Sequence, residues 1–415
     1  MAKILIHTLG SSGDLNPFAA LGLELQRRGH DVQFAVSPSH AARLRTLGLD
    51  AVDAVMDIDP HTDLMRRLLA ASQFEPIRIL FQEVLIPDIV PATQALEPLA
   101  RQADLFLSHS IQLAARAVAH RTGVRWITAA PAPLLFPTGE YPAPGVAWKG
   151  FPPALSRLAW SLGARLFAGI DALANAEYAA LGVSPALNVI NGGAYSRRLT
   201  LGLWSPAFFS RPLDWPDWLQ VGGYARWDGP SPAASPVPPE LGIRGLSSPL
   251  ILFTLGSSVV NDPRGFWETA LEAIAATDWR GVLLGAPPDF PIPSSLQDRV
   301  QAIPFAPYGD LFPQADAVVH QGGVGTTQAT CFYGIPSVIV PRGFDQFENA
   351  AHIQREGWGL RLLPQNLSAA ALRFRLERLL RSAEIRRRVG SLGRQMQAEP
   401  GASASADHVE AALKP

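Results

Sequence analysis

At 415 residues, 47% of them hydrophobic and 17% charged, the chain is too long for one core, which stops growing near ~250–300 residues, and too apolar to stay disordered. A formal net charge of −1 excludes a polyanionic partner such as nucleic acid, which calls for clustered Lys and Arg, and the single cysteine, Cys331, excludes an intrachain disulfide. The opening MAKILIHTLGSSGD lacks the apolar run and cleavage site of a secretory signal, and no window nears the roughly 20 apolar residues of a membrane span. A cytoplasmic protein is expected, at most peripheral to the inner membrane. The one basic concentration, seven arginines between 373 and 388, reads as the solvated face of C-terminal helices, with attraction to anionic lipid as the alternative.

In chain order, Ile4–Ile6 is a short buried-strand run, and a glycine-rich turn, Gly10-Ser-Ser-Gly-Asp14, follows. Phe18, Leu21, Gly22 and Leu25 then recur at helical spacing up to Gly29. Strands are expected at Val32–Val36, Asp104–Ser108 and Trp126–Ala129, with a helix over Leu113–Arg121. This strand–helix alternation implies a parallel sheet covered by helices. The Pro- and aromatic-rich stretch 130–160 and the apolar stretch Phe74–Ile89 read either as the wall of a site for an apolar ligand or as plain packing.

Residues 227–249, dominated by Pro and Ser, read as a semi-rigid linker between an N-terminal domain, 1–226, and a C-terminal one, 250–394. In the second domain, strands are expected at Leu250–Thr254, Val282–Leu284, Val300–Ile303, Ala317–Val319 and Ser337–Val340. Helices are expected at Phe266–Ala275, Gly325–Tyr333 and Gln346–Glu356. The tail, 395–415, is expected to pack back toward the N-terminal domain.

The strongest chemical signal is His320-Gln-Gly-Gly-Val-Gly-Thr-Thr327, between a strand and a helix. Close-set glycines let backbone N–H groups reach an anion, and the helix N-terminus adds partial positive charge. Thr326 and Thr327 add hydroxyls. The segment is neither a P-loop nor a dinucleotide fingerprint, because no Gly-Lys-Ser/Thr follows and the glycine spacing differs. A diphosphate cradle fits it, with Gln321, Gly323 and Gly325 at its centre. Gly343-Phe-Asp-Gln-Phe-Glu-Asn349 follows the next strand, where open α/β sheets bind ligands. A carboxylate beside an amide there suits sugar hydroxyls, although Asp-Gln is also an ordinary helix cap.

These segments together, HQGGVGTT with PRGFDQFENA some twenty residues later and GSSGDLNPF…LGLELQRRGHDV at the N-terminus, resemble the signatures of the UDP-glycosyltransferase superfamily. LGLWSPAFFSRPLDWPDWLQVGGYARWDG looks like bacterial rhamnosyltransferases that build rhamnolipids. The resemblance implies an α/β GT-B fold, two Rossmann-like domains with parallel sheets facing across a cleft, the first holding the acceptor and the second the nucleotide sugar. It implies that Ser11 and Ser257 contact the donor, that Phe305 stacks on the pyrimidine, and that Asp345 and Gln346 hold the sugar hydroxyls. Many relatives have a phosphate-binding histidine where this chain has Gln321, so that contact is expected to be weaker or shared with His320. Ala329 stands where UDP-using relatives often have a ribose-binding glutamate, which favours a dTDP-sugar.

The family position of the catalytic base falls on Asp14, which takes the proton of the attacking hydroxyl, or else caps a helix beginning near Leu15. Ser108 and His109 replace the aspartate that orients a histidine base in relatives, so His109 is a candidate assistant. Asp57-Ile-Asp59 matches a metal-binding Asp-X-Asp only formally. No cofactor or metal is expected, and the leaving diphosphate is left to the glycine loop and helix dipole. The expected function is inverting transfer of a hexose or deoxyhexose from a UDP- or dTDP-sugar to a hydroxyl of a small apolar acceptor, by a monomer or homodimer. The rivals are a nucleotide-sugar epimerase or hydrolase and a non-catalytic sugar-nucleotide binder on the same fold.

Overall fold

The computed structural model describes residues 1–54, 64, 67–68, 75–133, 136–141, 152–227, 248–256 and 265–414. The chain divides into two compact units. One comprises Met1–Asp59, Ala70–Trp227 and Glu399–Pro415, the other Pro60–Leu69 and Asp228–Ala398.

The first unit is built on a seven-stranded sheet in the order β3-β2-β1-β4-β5-β6-β7. Its strands are β1 (Lys3–His7), β2 (Asp31–Val36), β3 (Asp50–Asp53), β4 (Leu105–His109), β5 (Arg125–Ala130), β6 (Thr200–Gly202) and β7 (Leu219–Val221). Every pairing is parallel. A parallel sheet is covered on both faces, and here the two faces feed separate clusters. Ile4 and Ile6 point to the side of Phe18, Leu21 and Phe34. Leu5 and Phe106 point to the other side, with Leu96 and Val118. The last helix, Ala402–Leu413, belongs to this unit and packs on the helix Ser12–Arg27. Arg28 donates to Asp407 at 2.6 Å and to Glu410 at 2.8 Å, which ties the end of the chain to the first βα turn's helix.

The second unit has a six-stranded parallel sheet in the order β10-β9-β8-β11-β12-β13. These are β8 (Leu250–Thr254), β9 (Arg280–Leu284), β10 (Val300–Ile303), β11 (Ala317–His320), β12 (Ser337–Ile339) and β13 (Gly359–Arg361). Both sheets thus wind outward from their first strand in both directions. In each, the order reverses beside that strand, between β1 and β4 and between β8 and β11. Ligands of open α/β sheets bind in the crevice at this reversal, outside the carboxyl ends of the strands.

Several expectations change. The short strands β3, β6, β7 and β13 were not anticipated, because each holds no more than two apolar residues, too few for a pattern to register. The helix expected over Gly325–Tyr333 spans Val324–Phe332. The apolar stretch after Phe74 is not an open wall. It forms the helix Glu75–Ile79 and a π-helical turn, Leu80–Leu85, and Phe81, Leu85, Ile86 and Ile89 lie in a core with Leu113 and Tyr178. Residues 153–160 of the supposed loop belong to the helix Pro153–Leu166. Three of the seven arginines of 373–388 pair with the two acids of that stretch, Arg373 with Glu377 and Arg387 and Arg388 with Glu384, and the stretch keeps an excess of positive charge. Phe74, Asp57, Asp59, Ser257 and most of 227–249 lie outside the described residues. No helix among the described residues is by itself long and apolar enough to cross a membrane.

Candidate functional site

In the first unit, β1 ends at His7 and the chain turns through Gly10 into the helix Ser12–Arg27. Ser11, not Asp14, is the N-cap, and Asp14 closes a capping box from the third helical position. Its Oδ2 accepts from the Ser11 backbone N–H at 2.8 Å and from the Ser11 hydroxyl at 3.0 Å. The fold-back depends on Gly10. Its φ is +102°, and a Cβ there would lie 2.9 Å from the Asp14 Cγ. Ser11 therefore gives its hydroxyl proton to holding Asp14.

Across the sheet reversal, His109 at the end of β4 brings its Nε2 to 3.5 Å from Asp14 Oδ1, long for a hydrogen bond. The His109 Nδ1 accepts from the Ile111 N–H at 3.1 Å, which leaves the ring proton on Nε2, facing the carboxylate. Stacking on Phe18, at 5.5 Å between ring centres, fixes the ring plane. His109 is 3% exposed, whereas the Asp14 side chain keeps 28% of its surface open. Burial pushes the Asp14 carboxyl up, but the His109 imidazole and the Ser11 N–H and hydroxyl outweigh it, and its pKa lies below the usual aspartate value. Asp14 is thus ionised and accessible, a proton acceptor at neutral pH.

His7, in the next register position beside Ser108, is fully buried. Its Nδ1 lies 2.6 Å from the Ala35 carbonyl and its Nε2 2.8 Å from the Gln112 amide. Burial lowers its pKa to about 4, so it is a neutral structural histidine.

In the second unit, Gly322 and Gly323 follow β11, and Gly323 is the N-cap of the helix Val324–Phe332. Gly322 has φ +92°, and a Cβ there would lie 2.6 Å from Ile339 Cγ2. The bare turn lets the backbone pass against β12 and leaves the first N–H groups of the helix toward the crevice. Gln321 is 3% exposed, with an Oε1 that has no partner in the protein and an Nε2 2.8 Å from where a Cβ of Gly323 would sit. A buried amide in that state, at the mouth of a helix N-terminus, is suited to a polar ligand.

Of two further expected donors, one keeps an unpartnered N–H and the other is taken. His320 is fully buried, its Nδ1 accepts from the Gly322 N–H at 3.1 Å, and burial lowers its pKa to about 3. It is neutral and brings no charge to a phosphate, but its Nε2 has no partner in the protein and keeps a proton to donate. The Thr327 hydroxyl donates to the Gly323 carbonyl at 2.9 Å and is fully buried, so it serves the helix. Thr326 lies 3.0 Å from the Tyr308 hydroxyl. Tyr308 had no signal in the sequence, because its place beside Thr326 depends on the turn after β10. Phe305, in that same turn, is partly exposed, and Ala329 is buried in the core with Ile335.

After β12, Phe344 adopts φ +52°, rare for a bulky side chain and found where a loop is over-determined by its surroundings. It delivers Asp345 as N-cap of the helix Gln346–Glu356. Gln346 is 2% exposed, and its Oε1 accepts from the N–H groups of Arg342 and Gly343 at 2.8 and 3.2 Å. Its carbonyl clamps the loop, which leaves only the amide nitrogen for a ligand. Asn349, which sequence reasoning passed over, donates to Asp345 Oδ2 and to the Gly322 carbonyl, both at 2.8 Å. One side chain thus couples the Asp345 loop to the glycine loop. Among the described residues, no three His, Cys, Asp or Glu side chains gather to hold a metal ion.

Residues 270–412 match the family described as the erythromycin biosynthesis protein CIII-like C-terminal domain. The whole chain aligns at 27% identity with a sterol 3-beta-glucosyltransferase of Arabidopsis thaliana, spanning 68% of that protein, whereas it spans 26% of a sterol 3-beta-glucosyltransferase of Leptosphaeria maculans. It is 27% identical to the O-mycaminosyltylonolide 6-deoxyallosyltransferase of Streptomyces fradiae, over 96% of this chain and 94% of the other. Among solved structures, the glycotransferase of kitacinnamycin superposes with a TM-score of 0.73 at 22% identity, covering 100% and 99% of the two chains. The glycosyltransferase VinC in complex with dTDP gives 0.70 at 19%, covering 99% of each. At these identities, the structural matches establish the shared fold.

Proposed function

We propose that this chain, a glycosyltransferase that belongs to the UDP-glycosyltransferase superfamily and has its GT-B fold, moves a hexose or deoxyhexose from a dTDP- or UDP-sugar to a hydroxyl of a small apolar acceptor, with inversion. The observation that carries this reading is what the sheet reversal of each unit holds. One opens on an ionised, accessible carboxylate backed by an imidazole N–H, the other on a bare helix N-terminus.

In the reaction, the acceptor hydroxyl lies against Asp14, which takes its proton as the oxygen attacks the anomeric carbon from the face opposite the diphosphate. A single in-line displacement inverts that carbon. Asp14 passes from carboxylate to carboxylic acid, and the His109 N–H keeps the carboxylate placed beforehand. The negative charge that grows on the leaving diphosphate meets the N–H groups that open the Val324 helix and the Gln321 amide, without a metal ion. Asp345 and the Gln346 amide nitrogen accept and donate to the sugar hydroxyls, and Phe305 offers a face to the base. Ala329 gives no ribose contact, because it faces the core. That favours the 2′-deoxyribose of a dTDP-sugar, the nucleotide held by VinC.

Thermal-shift titration with UDP, dTDP and GDP sugars tests donor choice, since a ligand that binds only the native state raises its stability. Anomeric assignment of the product by NMR tests inversion. A retained configuration ends the single-displacement mechanism, and no stabilisation by any of the nucleotides ends the donor assignment.

A further inference from the structure

The helix Pro153–Leu166 is built inside out. Leu155, Leu158, Leu162 and Leu166 recur at helical spacing on one face and are 47%, 53%, 49% and 70% exposed. Its one buried residue is Ser156, whose hydroxyl is shared between the carbonyls of Thr138 and Tyr141 at 3.1 and 2.7 Å. Ten large hydrophobic residues are exposed among those described. Four stand on this helix and a fifth, Leu173, on the next, so the stripe is not the scattered apolar exposure normal for a surface. A contiguous apolar stripe of this kind marks an interaction surface.

Charge selects the partner. The helix sequence PALSRLAWSLGARL contains no acid and two exposed arginines, Arg157 and Arg165. Asp214 approaches Arg157 at 3.5 Å, and Arg165 makes no ion pair among the described residues. Pairing of the stripe with that of a second copy would bring arginines together with no acid on either helix to offset them. An anionic bilayer takes leucines at its acyl boundary and guanidinium groups among its phosphates. From Leu155 to Leu166 the stripe runs about 16 Å at 1.5 Å per residue, half the roughly 30 Å of a hydrocarbon core, so such a helix lies along the surface. We propose that the Leu155–Leu166 stripe is an in-plane anchor that docks this protein on an anionic lipid bilayer. The inference is independent of the transfer reaction.

The test is co-sedimentation of the full chain with vesicles of phosphatidylcholine alone or with about 30% phosphatidylglycerol, at two salt concentrations. Preferential, salt-sensitive binding to the anionic vesicles is expected. Leu158→Glu/Leu162→Glu should weaken it at least about tenfold, because two leucines that enter the acyl boundary are replaced by charges. Arg165→Glu should weaken it by about fivefold or more, the scale of one basic residue near a charged membrane. Circular dichroism and retained nucleotide binding check that the variants fold. No binding of the wild type to either vesicle overturns the proposal, as does equal binding by the leucine variant. So does a wild-type dimer, seen by light scattering, that ignores vesicles and becomes monomeric in the leucine variant, since a second copy would then be the occupant.

Discussion

Replacing Asp14 by Asn separates the two things this carboxylate does. The amide oxygen still accepts from the Ser11 N–H, now 2.8 Å away, so the turn keeps its main tie. The negative charge facing His109 and the ability to take a proton are lost. Loss of a general base costs about 10²–10⁴ in turnover, or roughly 3–5 kcal/mol of barrier at 1.36 kcal/mol per tenfold. The structural cost is smaller. A weakened capping box and a lost charge at a helix N-terminus come to about 1–2 kcal/mol, a melting shift of a few degrees in a unit of this size. Ser11→Ala is the complement, because it loses the hydroxyl bond to Asp14 at 3.0 Å but retains the carboxylate. It should show a similar loss of stability with turnover within about tenfold of wild type. Its acid limb should move upward, since one of the interactions that hold the Asp14 pKa down is gone. In the wild type that limb should lie below the ordinary aspartate value of about 3.9. Steady-state turnover with any accepted sugar pair, beside melting curves of both variants, decides the matter. If Asp14→Asn turns over within tenfold of wild type while Ser11→Ala does not, Asp14 is a cap and the base lies elsewhere. His7 is not that base, as it is buried and bonded on both ring nitrogens.

Asp345→Ala should weaken binding of the sugar nucleotide by about 1.5–3 kcal/mol, the scale of hydrogen bonds to a charged group, and leave the bare diphosphate nearly unaffected. Asn349→Ala, which unlinks Asp345 from the glycine loop, should weaken both, and equal losses in Asp345→Ala by calorimetry would reduce that residue to a loop support. A valine at Gly323 meets only the end of the Gln321 side chain, so the protein should fold, yet nucleoside diphosphate binding should fall at least about tenfold because the helix N-terminus is obstructed; unchanged affinity would place the nucleotide elsewhere. His7 and His320, held neutral with pKa values near 4 and 3, are protonated in the unfolded chain below about 6.5. Folded-state pKa values below the unfolded one mean that stability falls as pH drops from about 6.5 toward those values, by several kcal/mol in all at about 1.4 kcal/mol per unit, and His320→Gln should flatten the dependence of denaturant midpoint on pH between 6.5 and 4; an unchanged slope would show that His320 is not held neutral.

Much of this protein was settled locally, in its sequence. Leu250–Thr254, Phe266–Ala275, Val300–Ile303 and Gln346–Glu356 occur at the bounds that their periodicity predicts, because each is a run whose apolar residues have one face, or two, to bury. The positions of the glycine turn after β11 and of the carboxylate after β1 were equally legible, since each lies in a turn between a strand and a helix that its own residue types mark. What the sequence left open was which donors were already taken. Thr327, Ser11 and Gln346 look alike as hydroxyls or amides in a motif, but the turn geometry commits the first to Gly323, the second to Asp14 and most of the third to Arg342 and Gly343. His320 and His7 stay neutral below pH 6.5 only because strands close over them. Asn349, Tyr308 and the His109 ring owe their places to contacts between segments far apart in the chain, and the outward turn of Leu155–Leu166 follows from which side of the helix meets Thr138 and Tyr141. Hydrogen-bond satisfaction and burial are properties of neighbours in space, and the strand order that brings β4 beside β1 and β11 beside β8 is what chooses those neighbours.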